Sequence, residues 1–218
     1  MTNGIGYIKN LKMNHNLGKM LINANINLQS EPTIDAAFST SGVYLSNILN
    51  SPISGFITSQ GRFYLSGINP IESFNNIKSS IVGTFDNMEI KNYDLYSLSY
   101  KFYTRDFGSD LSNYQSLISR SNMIFPNSDF KTNVENGKLS LTLNAKRELV
   151  SLTSSIDLDI STKALLKNQN TFIIMSKGMS DENIPIYIVS NCNGKYLEYK
   201  CITNWDVVDD YIKINLIN

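Results

Sequence analysis

At 218 residues, with 42% hydrophobic and 17% charged side chains and a formal net charge of zero, the chain can bury a core without staples and is too weakly charged to be a disordered polyelectrolyte. Acids and bases balance on both sides of residue 130, so no segment carries the basic footprint of a nucleic-acid binder. The longest apolar runs, such as Phe172–Met175, fall far short of the roughly 20 residues of a membrane-spanning helix, and membrane insertion is not expected.

Lys9, Lys12 and Lys19 are interleaved with asparagines and no unbroken apolar stretch follows them, so no export signal is expected. From Met20 to Leu28, apolar Met20, Ile22, Ala24, Ile26 and Leu28 alternate with Leu21, Asn23, Asn25 and Asn27, the period of a half-buried strand. Gly42–Ser46 and Ile53–Ser59 read as short strands, with Gln60-Gly61 turning the chain into Arg62–Leu65. Asn69, Pro70 and Glu72 have the spacing of a helix start, which predicts a helix over Pro70–Ser80. Ile81–Phe85 reads as a strand. So does Tyr93–Thr104, where Tyr96, Leu98, Tyr100 and Phe102 alternate with Ser97, Ser99 and Lys101. A second helix is predicted over Asp110–Arg120, capped by Ser109.

Ser121–Gly137 is rich in Asn, Ser, Pro and Gly, which marks a linker over residues 122–137 between a β-rich domain with two short helices (1–121) and a C-terminal β domain (138–218). Beyond it come Leu139–Leu143, Leu149–Leu152, Ile156–Ile160, a helical turn within Ser161–Lys167, then Thr171–Ser176, Ile184–Ser190 and Tyr211–Ile217. Asn193-Gly194 is the strongest turn signal. A two-residue loop there pairs Cys192 with Lys195, Ile188 with Tyr199 and Ile186 with Cys201, and keeps the two cysteines apart with no disulfide. The fold class is therefore mainly β, a β-rich α+β chain of antiparallel sandwich or open-barrel-like sheets with two short helices in its N-terminal part.

The sequence offers little to catalysis. His15 is the only histidine, which removes the principal residue of common triads and metal sites. Gly4-Ile5-Gly6 lacks the third glycine of a dinucleotide loop, and Ser128 and Lys131 stand at Ser-x-x-Lys spacing without the partner motifs of that enzyme class. Asp157 with Asp159, and Asp206 with Asp209 and Asp210, have the carboxylates that a glycosidase or a calcium ion would need, but strand and turn chemistry accounts for both groups. No catalytic residue, cofactor or metal is assigned. The candidate ligand-binding residues are Trp205 and the aromatics Tyr96, Tyr100 and Tyr103, whose flat rings suit a sugar or a partner surface.

Strand-rich patterning, many neutral polar side chains and no catalytic set point to a non-enzymatic structural or assembly protein. The most concrete form is a virion component, such as a bacteriophage tail, baseplate or fibre subunit, that partners copies of itself or other structural proteins; the cytoplasm is the alternative location. A carbohydrate-binding β-sandwich, with a surface glycan as partner, is the alternative function and a carboxylate-based glycosidase the second. Apolar residues on nominally outward positions of Met20–Leu28 and Tyr211–Ile217, with few charges to guard them, favour self-assembly.

Overall fold

Alternating polarity runs through most of the chain, and the strands it makes pair in the order in which they are synthesised. A computed structural model describes residues 4–15, 18–45, 53–106, 113–195 and 198–216. The strands are β1 (Ile5–His15), β2 (Gly18–Asn27), β3 (Thr33–Tyr44), β4 (Ile53–Ser66), β5 (Lys78–Ile90), β6 (Met123–Glu135), β7 (Lys138–Arg147), β8 (Val150–Asp159), β9 (Leu165–Lys177), β10 (Asn183–Lys195) and β11 (Glu198–Thr203). They form one 11-stranded antiparallel sheet in sequence order that does not close into a barrel. The helices among the described residues are α1 (Pro70–Asn75), α2 (Leu95–Thr104), α3 (Tyr114–Ile118) and α4 (Asp206–Leu216). The mainly-β antiparallel class expected from the sequence is the class observed, in the form of one open sheet.

Register makes the two faces of the sheet chemically different, because directly paired residues share a face. One row across the strands reads Leu11, Ile22, Phe38, Gly61, Ile81, Thr132, Leu141 and Ile156. The adjacent row on the other face reads Asn23, Ala37, Arg62, Ser80, Asn133, Ser140, Asp157 and Lys167. The sheet is thus apolar on one side and polar on the other over most of its width. On the apolar side Phe130 lies so close to Gly83 that a Cβ there would meet its ring at 2.7 Å, which explains a glycine inside a strand.

The core occupies one end of the apolar face. There the row Phe85, Ser128, Ala145, Leu152, Phe172 and Ile188 lies beneath Leu95, Leu98 and Phe102 of α2, Tyr114 and Ile118 of α3, and Val208 and Tyr211 of α4. Helix α2 packs on β8 and β9, and α4 on β10. Ser99 fixes the dock: its buried hydroxyl lies 2.8 Å from the carbonyl of Met175 and accepts the Met175 N–H at 3.1 Å. Tyr211 adds a second tie, donating to the carbonyl of Lys177 at 2.7 Å.

Several expected elements differ. Tyr93–Thr104 is not a strand but contains α2. Leu95, Leu98, Ser99 and Phe102 are its buried residues, an i, i+3, i+4, i+7 stripe, and the Asp94 side chain caps it by accepting the N–H groups of Tyr96 and Ser97. Tyr211–Ile217 is likewise no strand: residues up to Leu216 belong to α4, with Val208, Tyr211 and Ile212 turned to the core at helical spacing, and Ile217 lies outside the described residues. The expected linker over 122–137 holds β6, hydrogen-bonded to β5 and β7, so the sheet is continuous there. Its Asn127 and Asn133 are exposed positions of a half-buried strand, whereas Ser128 is buried in the core row. Gln60-Gly61 makes no turn, because period two continues through it and β4 runs unbroken to Ser66. The helix over 70–80 ends at Asn75, although its cap is as expected: Asn69 accepts the N–H of Glu72 at 3.0 Å. The helix over 110–120 is reduced to α3 in the described part; Ser109 lies outside it. No helical turn forms over 161–167, where Asp159 accepts from the Thr162 N–H and the Ser161 hydroxyl and β9 starts at Leu165.

The largest change of register is in the last hairpin. Cys192 pairs with Cys201 and Lys195 with Glu198, and the two cysteines form a disulfide, against the expectation of none. The connection moves to residues 196 and 197, outside the described residues. Gly194 stays in the ladder opposite Tyr199 with φ of 131°, a conformation that glycine tolerates, so a strong local turn signal serves an irregular strand instead.

Two outcomes test this fold. In a helix Tyr100 faces solvent and Phe102 the core, whereas a strand would put them on one side. Phe102→Ala should cost about 3–5 kcal/mol and Tyr100→Lys less than about 0.5 kcal/mol in chemical denaturation. Non-reducing peptide mapping should recover Cys192 joined to Cys201, and replacing both by serine should lower stability by about 2–3 kcal/mol, the entropy of so short a loop.

Candidate functional site

The four aromatic candidates do not converge on one site. Tyr96 and Tyr100 lie one turn apart on α2. Tyr96 is held by neighbours: its hydroxyl donates to Glu148 at 2.7 Å and the Arg147 guanidinium stacks 3.8 Å from its ring centroid. Tyr100 is 53% exposed, and Tyr103 has the Lys177 ammonium 5.0 Å from its ring centroid. Trp205 stands apart from this group, at the start of α4, edge-on to Tyr114 with centroids 5.7 Å apart.

Around Trp205 the chain builds a cleft of about 770 Å³. Its walls are the ends of β10 and β11 (Val189, Asn191, Asn193, Ile202, Thr203), the start of α4 (Asp206, Asp209) with Asn204 before it, and Gln115 of α3. Burial fixes the wall behind it. Tyr114 donates to Asp209 at 2.8 Å, and burial, then the Asp209 hydrogen bond, push its hydroxyl up to about 12. Asn191 and Asn193 were not candidates from the sequence, although Asn-x-Asn on a strand places two amides on one face. That signal is common to the whole chain and so does not single them out.

The carboxylates have local partners. Asp159 sits in the turn after β8, where the backbone N–H of Thr162 and the Ser161 hydroxyl lower its carboxyl to about 2. Asp157 faces Ser140 and Lys167 across the polar side of the sheet. Asp210 pairs with Lys213 at 3.6 Å. Among the described residues no group of three or more His, Cys, Asp or Glu side chains is placed to hold a metal ion.

A second feature is the sheet itself. β1 and β11 are its edges, and the apolar row reaches the β1 edge, where Leu11 is 44% and Met13 45% exposed. Lys9, Lys12 and a bulge at Asn10, whose backbone takes φ of 54° and whose N–H bonds the Asn23 side chain, interrupt this edge without covering it. Away from the helices Ile22, Phe38, Ile81 and Ile156 stay partly exposed. The chain matches no known protein family, no curated protein and no solved structure, so the geometry alone carries the functional reading.

The tyrosine beside the cleft gives a pH test. A hydroxyl whose pKa is raised above the ordinary value near 10 contributes stability that is fully present below pH 10 and is lost as pH rises towards 12. Burial also raises Tyr93 and Tyr211, so ultraviolet titration should show several late-ionising tyrosines and one fewer in Tyr114→Phe, with a shallower loss of stability over the same window.

Proposed function

We propose that this chain is a non-enzymatic assembly protein that joins copies of itself or related subunits by continuing its sheet. One observation carries the reading: the apolar row runs off the β1 edge at Leu11 and Met13 with no described strand beyond it. An incoming strand would satisfy backbone groups that β1 leaves open and extend the apolar face with its own. Repeated subunits in a virion, such as those of a bacteriophage tail, baseplate or fibre, are the setting we propose, since a symmetric array occupies such edges on every copy.

The same face supports a second reading. Ile22, Phe38, Ile81 and Leu141 form a row across β2–β7, partly buried and partly beyond the helices, and an apolar row of this kind could also take a long apolar ligand such as an acyl chain.

Sedimentation velocity separates the two. Assembly should appear as a species whose mass rises with concentration, and Leu11→Lys with Met13→Lys should weaken it at least about tenfold, or about 1.4 kcal/mol. A strictly monomeric chain that takes up a fluorescent fatty acid, and loses it in Ile81→Lys, would move the function to the ligand reading.

A further inference from the structure

We propose that the cleft beside Trp205 binds a neutral saccharide, independently of any assembly through the sheet. Its volume of about 770 Å³ falls within the range of small-molecule sites, roughly 300–1,000 Å³, and its chemistry selects among ligands. Trp205 supplies one aromatic surface, held in place by its edge-on contact with Tyr114 and by packing against the core. A rigid indole of this kind suits the C–H face of a sugar ring.

The polar lining matches hydroxyl groups. Asn191 and Asn193 stand two apart on β10, and each amide carries a donor pair and an acceptor. Asp206 and Asp209 supply acceptors only. Of these, Asp209 spends one oxygen on Tyr114, while the side chains of Asn191, Asn193 and Asp206 make no hydrogen bond among the described residues. Asn204 differs: its carbonyl oxygen accepts the Asp206 N–H at 2.9 Å, which fixes the start of α4 and with it the carboxylates. A vicinal diol, donor and acceptor at once, can bond an amide and a carboxylate together.

Charge excludes the other small ligands. The lining holds two carboxylates and no Lys, Arg or His, so phosphorylated, sulfated and acidic sugars would be repelled. A polyamine would be attracted by the carboxylates and by the face of the indole, but, having donors only, it would leave the amide N–H groups of the two β10 asparagines unused. A neutral saccharide uses all of them.

Trp205 is the only tryptophan in the chain, so its emission reports on the cleft without labelling. The full chain should be titrated with maltotriose, cellotriose and chitotriose, and separately with spermidine. The expected result is a saturable emission change with at least one trisaccharide at millimolar concentration or below, and none with spermidine. Asn191→Ala and Asn193→Ala, both on the strand surface, should each weaken it about tenfold while circular dichroism and melting stay as in the parent. No saturable change with any trisaccharide, a response to spermidine alone, or saccharide binding that both asparagine variants leave unchanged would overturn the proposal.

Discussion

A sheet that is apolar on one side must have that side covered, and among the described residues three short helices, α2, α3 and α4, form the core with it across eleven strands. This constraint organises the molecule. Helix α2 is committed to β8 and β9 by Leu95, Leu98 and Phe102, and Ser99 closes the contact between Met175 of β9 and Leu149 of the turn before β8, its one proton shared by their carbonyls while its oxygen accepts the Met175 N–H. Asp94 starts that helix. Buried itself, it accepts from two backbone N–H groups and from the hydroxyls of Ser97 and Ser121, so a charge that would be costly inside is fully hydrogen-bonded. Among the described residues these helices thereby seal one end of the apolar face, and no comparable packed layer covers the other.

The consequence is a gradient of stability along the structure. β5–β10 have both ladders and a packed layer above them, whereas β1–β3 rest mainly on backbone pairing and on contacts between side chains of adjacent strands. Openings should be cheaper where fewer apolar contacts accompany the hydrogen bonds. Of the two edge strands, β1 is then the less firmly held. The disulfide acts at the opposite margin. It pins short β11 to β10 and so holds the wall of the Trp205 cleft, where the strand could otherwise fray.

What the sequence revealed depended on whether local patterns were unique. The alternation in Met20–Leu28 fits only a strand, and it is one. In Tyr93–Thr104 two periods coexist: Tyr96, Leu98, Tyr100 and Phe102 satisfy period two, while Leu95, Leu98 and Phe102 satisfy the helical stripe, and Asp94 decides between them as a cap. The segment 121–137 misled because in this chain Asn marks both loops and the solvent side of strands, while Ser also lies inside, as Ser128 does, so composition lost its usual meaning. Asn193-Gly194 misled for a different reason. A dipeptide reports local turn preference, but the last hairpin pairs Cys192 with Cys201 and Lys195 with Glu198, contacts with no local signal. Of the candidate site, Trp205 was visible because it is unique. Its companions were not, since Gln115 comes from α3 and the amides of β10 look like every other asparagine.

The central claim is that β1 is an edge awaiting another strand, and amide hydrogen exchange measured at increasing protein concentration tests it most directly. Residues 5–15 should gain protection as concentration rises, while the amides of β6–β9 keep the same protection throughout. Exchange in β1 that is independent of concentration, in the presence of any assembled species, would contradict the account.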